Sequence, residues 1–119
     1  LRVVIKEALR VVRRRLIILV PNAASLPYQF GMWYMKMRKT WVWGGERPFG
    51  SMKKYFDRSQ VRSIEEFTVS YWHAINFLTM PGGTLMQKIL RKGFRVTEHS
   101  RPSKFNQGYL LISIAEKKA

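Results

Sequence analysis

The longest regular pattern in this chain is an uncharged run that follows a helix-start motif. Ser63 and Glu66 have the spacing of a capping box, in which the two side chains satisfy the first N–H groups of a helix. Residues 67–86 carry no formal charge over 20 positions, and Gly93 follows as a helix stop. A helix over about 64–92 would be about 43 Å long, which matches a bilayer with its headgroups. The pattern predicts a single transmembrane helix, and a long helix in a soluble core is the alternative.

The first 16 residues show a helical repeat of apolar and basic positions. Apolar residues recur on one stripe, at Ile5, Leu9, Val12 and Leu16, and cations recur on another, at Arg2, Lys6 and Arg10. A short basic amphipathic helix is therefore predicted. Its three cations are candidates for contact with an anionic phospholipid such as cardiolipin. A helix packed on a neighbouring element, with its basic face in solvent, explains the pattern as well.

Residues 16–35 form a second uncharged run, but Pro21 and Pro27 interrupt helical hydrogen bonding there. An interfacial or re-entrant segment, or one buried by partners, is predicted instead of a second straight span. Over residues 33–62 aromatic residues alternate with Lys and Arg. Indole rings at headgroup depth would form an interfacial belt. The candidates for this lipid interface are Trp33, Trp41 and Trp43.

The same basic and aromatic stretch supports a rival hypothesis. Interleaved cations and rings suit RNA, because phosphates bind Lys and Arg while bases stack on aromatic side chains. An RNA-binding structural protein of the mitochondrial ribosome is therefore the alternative. The stretch directly precedes the capped, uncharged run, where an interfacial belt belongs, so the membrane interpretation, without nucleic acid, is preferred.

Composition limits the partners and the chemistry. The 119 residues include 22 Lys and Arg against 7 Asp and Glu, so a net charge of +15 requires an anionic partner. The absence of cysteine excludes disulfides and thiolate metal sites. His73 and His99 belong to no cluster with metal-ligand spacing, and no nucleophile has an orienting partner. The sequence predicts no enzyme activity, no metal site and no cofactor held by this chain.

A second signal comes from the order of residues in the C-terminal half. Trp72 opens the uncharged run, Pro81-Gly82 follows, and the element His99-Ser100-Arg101-Pro102 stands 18 residues beyond the proline. This order resembles the cytochrome c oxidase subunit VIa family, which has a tryptophan-started transmembrane helix with a central Pro-Gly and then a His-x-Arg-Pro element. The resemblance covers about residues 63–114, and residues 1–62 are an unassigned extension. Pro81 can bend the predicted helix.

The resemblance implies a non-catalytic accessory subunit of mitochondrial cytochrome c oxidase, respiratory complex IV. Its role would be assembly, stability, or dimer and supercomplex contacts. Haem a and copper would be held by partner subunits. The chain would lie in the mitochondrial inner membrane, with its N-terminal side in the matrix and its tail in the intermembrane space. An accessory subunit of another respiratory complex or of ATP synthase is a further alternative.

The predicted fold is mainly α, in three segments. These are a basic, aromatic-rich extension (1–62), the transmembrane helix (63–93) and a short extended tail (94–119). Small residues at helical spacing favour close packing against partner subunits on one helix face. The predicted partner-docking residues on that face are Trp72, Thr79 and Gly83. Those that the resemblance implies in the tail are His99, Arg101 and Pro102.

Overall fold

The computed structural model describes residues 1–79, the single positions Leu85, Lys88, Ile89 and Lys92, and residues 107–119. Helices and strands alternate along the chain. In chain order they are α1 (Arg2–Val11), β1 (Arg15–Pro21), α2 (Leu26–Met37), a short 3-10 turn (Lys53–Tyr55), β2 (Val61–Val69), α3 (Tyr71–Thr79) and β3 (Leu110–Lys117).

The three strands form one antiparallel sheet in the order β1-β3-β2. The C-terminal strand β3 is central, and its residues Leu111, Ser113 and Ala115 are buried while the positions between them are half-buried. Ser113 lies opposite Ile18 of β1 and opposite Glu66 of β2. This period-two alternation places one side of the sheet against a core.

The main core lies between this side of the sheet and α1. Ile5 and Leu9 of α1 are buried against side chains of the 3-10 region, β2 and β3, namely Met52, Phe56, Val61, Leu111 and Ala115. Leu16 and Ile18 of β1 are partly buried and pack against the same cluster. A helix forms within the predicted amphipathic segment, but it ends at Val11, and Leu16 of the predicted stripe lies in strand β1. Its apolar stripe packs within the chain, and its cations Arg2, Lys6 and Arg10 are exposed.

A second, smaller cluster joins α2 to α3. Tyr28 and Met35 of α2 are buried with Phe77 of α3, and Trp41 and Tyr109 pack against them. Gly31 faces Phe77 so closely that a Cβ atom would overlap the phenylalanine side chain. Glycine is thus required where these two helices approach, and this contact holds α2 in place.

The predicted transmembrane helix over 64–92 is wrong, and so is the mainly α fold. Residues 61–69 form strand β2, which also runs across the predicted segment boundary at 62/63. Ser70 follows with a φ of 64°, and α3 starts only at Tyr71. Among the described residues, no helix has the length and apolar character needed to cross a membrane. Pro81 and Gly93 lie outside the described residues.

The residues that suggested a helix start have other partners. The Ser63 hydroxyl donates to Glu116 of β3 over 3.4 Å. The Glu66 carboxylate accepts hydrogen bonds from the Met52 backbone N–H at 2.7 Å and from the hydroxyls of Ser113 at 2.9 Å and Ser51 at 2.8 Å. The backbone of β2 forms its hydrogen bonds with β3, which lies 40 or more residues further along the chain. A local capping motif carries no information about such a distant partner. Within the predicted tail, residues 110–117 are extended and form β3, the central strand of the sheet.

Candidate nucleic-acid interface

One side of α2 leaves large apolar side chains in solvent. Phe30 is 42% exposed and Trp33 is 56% exposed, and their ring centroids are 5.8 Å apart. Leu26 and Met37 continue the stripe at helical spacing and are also exposed. The opposite side of the helix is the buried one that packs on α3. A contiguous exposed apolar stripe of this kind marks an interaction site.

The C-terminal end of α2 presents a lysine in an unusual backbone conformation. The Thr40 N–H donates to the Met35 carbonyl at 2.9 Å, and the Lys39 N–H donates to the Lys36 carbonyl at 3.1 Å. These two bonds form a Schellman motif, whose left-handed residue is normally glycine. Here it is Lys39, with a φ of 56° and an exposed side chain. Left-handed backbone costs a residue with a Cβ about 1–2 kcal/mol, and such strain is common at functional sites.

Cations and rings remain interleaved beyond the helix. Lys36 Nζ lies 5.5 Å from the ring centroid of Trp41, and the Arg38 guanidinium lies 5.9 Å from that of Tyr34. Trp41 packs edge-on against Trp43 with centroids 4.9 Å apart. We call the aromatic and basic residues of α2 and the following loop the basic–aromatic surface: Phe30, Trp33, Tyr34, Lys36, Arg38, Lys39, Trp41, Trp43 and Arg47. Phe30 and Trp33 lie on the solvent side of α2, and Trp41 and Trp43 lie on the side that packs on α3.

The single acidic residue within positions 26–47 is turned away from this surface. Glu46 Oε1 accepts a hydrogen bond of 3.2 Å from the Tyr109 hydroxyl at the start of β3, and Oε2 is buried. The buried Tyr28 hydroxyl lies beside the same carboxylate, without a hydrogen bond of good geometry from the described residues. Burial, followed by the negative charge of Glu46, raises the pKa of Tyr28, and the same two causes raise the pKa of Tyr109.

Glu46 and the aromatic side chains also hold the loop after α2 in place. The ring of Trp41 lies 6.4 Å from that of Tyr28, and the ring of Trp43 lies 5.9 Å from that of Phe77. The Trp41 indole N–H donates to the Gly44 carbonyl at 3.0 Å. The loop is thereby fixed at both ends to the α2–α3 cluster, while the Trp43 ring stays 45% exposed.

A second basic site lies at another part of the molecule, and we call it the basic groove. It is a cavity of about 440 Å³ whose lining includes four cations and no carboxylate, with the cations Lys53, Arg58, Arg62 and Lys118. Lys118 Nζ donates to the Arg58 carbonyl at 3.2 Å, which ties the C-terminal residues to this site. Asp57 lies nearby in sequence, but its carboxylate accepts hydrogen bonds from Ser59, which hold its pKa below the usual value.

Few of the cations are neutralised within the chain. Among the described residues two ion pairs form, Arg10 with Glu7 at 2.7 Å and Arg15 with Glu116 at 3.7 Å. Exposed cations stand on α1, after α2, in the 3-10 turn, on β2 and at Lys88 and Lys92. Exposed positive charge is therefore present on several elements, and an extended anionic partner can contact more than one of them.

The predicted site residues are distributed as follows. The α1 cations Arg2, Lys6 and Arg10 are exposed, Trp33 is exposed on α2, and Trp41 and Trp43 meet in the following loop. Trp72 and Thr79 belong to α3. Four predicted docking residues lie outside the described residues: Gly83, His99, Arg101 and Pro102. Whether any of these twelve contacts lipid or a partner subunit stays a prediction.

Sequence reasoning missed three features of the site. The left-handed Lys39 gives no sequence signal, since glycine is the usual mark of that position. The basic groove combines residues from positions 53–62 with Lys118, which β3 brings beside them, so no local pattern reveals it. The inward turn of Glu46 likewise depends on Tyr109, 63 residues away.

Comparison with known proteins gives no family for the chain: no family model, no curated protein and no solved structure matches it. The resemblance to cytochrome c oxidase subunit VIa stays a prediction. Among the described residues, no group of three or more His, Cys, Asp or Glu side chains is placed to hold a metal ion. The expectation that this chain holds no cofactor also stays a prediction.

Proposed function

We propose that this chain is a structural RNA-binding protein that holds single-stranded RNA on its basic–aromatic surface. One observation carries the proposal. Exposed rings of Phe30, Trp33 and Trp43 are interleaved with cations that have no carboxylate partner in the described chain, and the one acid nearby, Glu46, is turned inward. Unpaired bases would stack on the rings, and phosphates would bind the Lys and Arg side chains.

The exposed cations lie on several elements, and a polyanion that follows the protein surface can contact cations on more than one of them. Here exposed cations occur on α1, beyond α2 and around the basic groove, in addition to the basic–aromatic surface. An RNA strand can pass from one of these sites to the next.

The expected energies are large enough to measure. Base stacking on an aromatic side chain contributes about 1–3 kcal/mol per base. Each phosphate contact on a single strand adds about 0.7 to the slope of log K against log salt. Six such contacts give a slope of about −4 and an affinity loss of about 300-fold between 50 and 200 mM salt.

The preferred sequence interpretation, an accessory subunit of cytochrome c oxidase, drew its physical support from one continuous helix over 64–92. Strand β2 occupies the start of that segment. The placement of the basic and aromatic stretch before a membrane helix was also the reason to prefer lipid over RNA. With that reason gone, the RNA-binding alternative, which includes a protein of the mitochondrial ribosome, is the better supported of the two.

The test is the affinity of the full chain for a fluorescent 12-nucleotide single-stranded RNA, measured by anisotropy across a salt series. Trp33→Ala should weaken binding about 5- to 100-fold, which corresponds to the loss of one stacked base. The same oligonucleotide as DNA shows whether the ribose matters. Vesicles that contain cardiolipin test the lipid prediction with the same variant.

Two variants of equal net charge provide the control. The first replaces Lys36, Arg38 and Lys39 with Gln, and the second replaces the α1 cations Arg2, Lys6 and Arg10. The first should lose at least tenfold more RNA affinity than the second. Equal losses would show that only net charge matters. Vesicle binding that depends on Trp33, together with RNA binding that does not, would replace the proposal with a membrane function.

A further inference from the structure

The outer edge of β1 has backbone groups that bond to no other part of the described chain. On its inner side, the Asn22 N–H donates to the Tyr109 carbonyl at 2.8 Å and the Lys117 N–H donates to the Arg14 carbonyl at 2.9 Å. Bonding alternates along an antiparallel pair, so the even-numbered residues from 14 to 22 bond to β3. The N–H and C=O groups of the odd-numbered residues 15–19 consequently point outward, away from the sheet.

Among the described residues, only those at Phe49 cover this edge, and they cover its end. The Phe49 N–H donates to the Pro21 carbonyl at 2.8 Å, and the Ala23 N–H donates to the Phe49 carbonyl at 3.0 Å. This short parallel contact ends there. Elsewhere in the described chain, no group bonds to the outward N–H and C=O groups of Arg15, Ile17 and Leu19. The free edge is about five residues, or about 17 Å, long.

The side chains along the free edge are also available for contact. Ile17 is 56% exposed and Leu19 is 55% exposed. On the same side of the sheet they lie opposite Ile114 and Ile112 of β3, which are half-buried. A docked strand would therefore find hydrogen-bonding groups at the edge and an apolar surface beside them.

The two edges of the sheet differ in protection. Natural proteins guard edge strands with bulges, charged side chains or proline. Strand β2 has a register shift between Val61 and Ser63 and carries the exposed charges Arg62 and Glu65. The free edge at residues 15–19 has no proline and no bulge, and its single charge is Arg15 at its N-terminal end. Of the two edges of the sheet, the β1 edge is therefore the less protected one, as expected of an edge that binds another strand.

The charge around the edge indicates the chemistry of its partner. Three consecutive exposed arginines, Arg13, Arg14 and Arg15, stand at its N-terminal end, and within the described chain one carboxylate, Glu116, forms an ion pair with them, 3.7 Å from Arg15. A second copy of this chain would bring another charge of +15 to the same place. RNA and lipid lack the alternating N–H and C=O groups that pair with a strand edge. We propose that residues 15–19 bind an extended, acidic segment of a partner protein, which adds to the sheet as a fourth strand beside β1.

The experiment uses two capped seven-residue peptides and the full chain. One peptide alternates Val and Glu, and the other alternates Val and Lys. The Val/Glu peptide should bind with at least tenfold higher affinity in a fluorescence titration. Ile17→Pro removes one outward N–H and is compatible with an edge strand, so it should weaken binding at least tenfold. Ile17→Thr keeps the N–H and shortens the apolar contact, so it should weaken binding only about threefold.

Amide hydrogen exchange on the unmodified chain provides a second measurement that needs no variant. Addition of the Val/Glu peptide should slow exchange at Ile17 and Leu19 and leave Ile18, already bonded to β3, unchanged. Equal affinity for both peptides, or no added protection at Ile17, would overturn the proposal. Self-association that Ile17→Pro abolishes would assign the edge to a second copy. Loss of RNA binding in folded Ile17→Pro would assign the edge to RNA.

Discussion

Replacing Lys39 with glycine should make the chain more stable and a weaker RNA binder. Lys39 is the left-handed residue of the Schellman motif that ends α2, with a φ of 56°. Left-handed backbone costs a residue with a Cβ about 1–2 kcal/mol. Glycine removes that strain but adds about 0.4–1 kcal/mol of conformational entropy to the unfolded chain. The expected net gain is about 0.5–1 kcal/mol.

The gain is measurable as a melting temperature. With about 2.1 cal/mol/K per residue, unfolding of 119 residues has an entropy of about 250 cal/mol/K. Lys39→Gly should therefore raise Tm by about 2–4 °C. Loss of one phosphate contact should lower the salt slope by about 0.7 and the RNA affinity about fivefold at 0.1 M salt. Thermal unfolding by circular dichroism and RNA anisotropy on the same preparations provide both numbers.

Two control variants separate the effect of backbone strain at position 39 from the effect of losing the lysine charge. Lys39→Asn also tolerates the left-handed region, so it should lose RNA affinity equally while gaining less stability. Lys36→Gly places glycine inside the helix and should cost about 1 kcal/mol. A fall in Tm for Lys39→Gly would refute the strain argument. Unchanged RNA affinity in both Lys39 variants would remove this lysine from the interface.

Three further substitutions test the packing that supports the site. Gly31→Ala should lower the free energy of unfolding in urea by about 1–2 kcal/mol, because the new Cβ would overlap Phe77. The control Gly45→Ala should change it little, because nothing lies near that Cβ. Glu66→Ala should cost about 2–3 kcal/mol because buried Ser113 loses its acceptor, and a loss below 0.5 kcal/mol would contradict this role. Tyr28 has a raised folded-state pKa, so stability is intact below pH 10 and falls as pH rises above it. Tyr28→Phe should make that alkaline fall shallower, and an equally steep fall would count against burial of the neutral hydroxyl.

The first helix could be predicted because its information is local. Ile5 and Leu9 recur at helical spacing, and that stripe is the one buried in the core. The exposure of Arg2, Lys6 and Arg10 follows from the same pattern. The sequence did not show what the stripe would pack against, since its partners in the 3-10 turn and the strands are brought there by the fold.

The C-terminal half could not be predicted locally. Ser63 and Glu66 match a capping box, and an uncharged run follows, but a strand followed by a helix produces the same absence of charge. Val61, Ile64 and Val69 are strand-forming residues, and 110–117 alternates between buried and half-buried positions. Pairing between these two segments decides the structure, and nothing in either segment specifies the other.

The sequence shows that aromatic and basic residues alternate in this stretch, but it does not show how their side chains are arranged. Trp33, Trp41 and Trp43 were assigned to a lipid belt from their position before a presumed membrane helix. Their surroundings, and above all the inward turn of Glu46 toward Tyr109, appear only in the folded chain. Because of that turn, no carboxylate among the described residues pairs with the cations of this surface.

The most direct test of RNA binding on the basic–aromatic surface is ultraviolet cross-linking of the full chain to single-stranded RNA, with the cross-linked peptides identified by mass spectrometry. Stacked aromatic side chains lie in direct contact with bases. The expected result is a set of cross-links at Phe30, Trp33 or Trp43 that unlabelled RNA competes away. Cross-links confined to residues outside positions 26–47, or none above a denatured control, would contradict the proposed function.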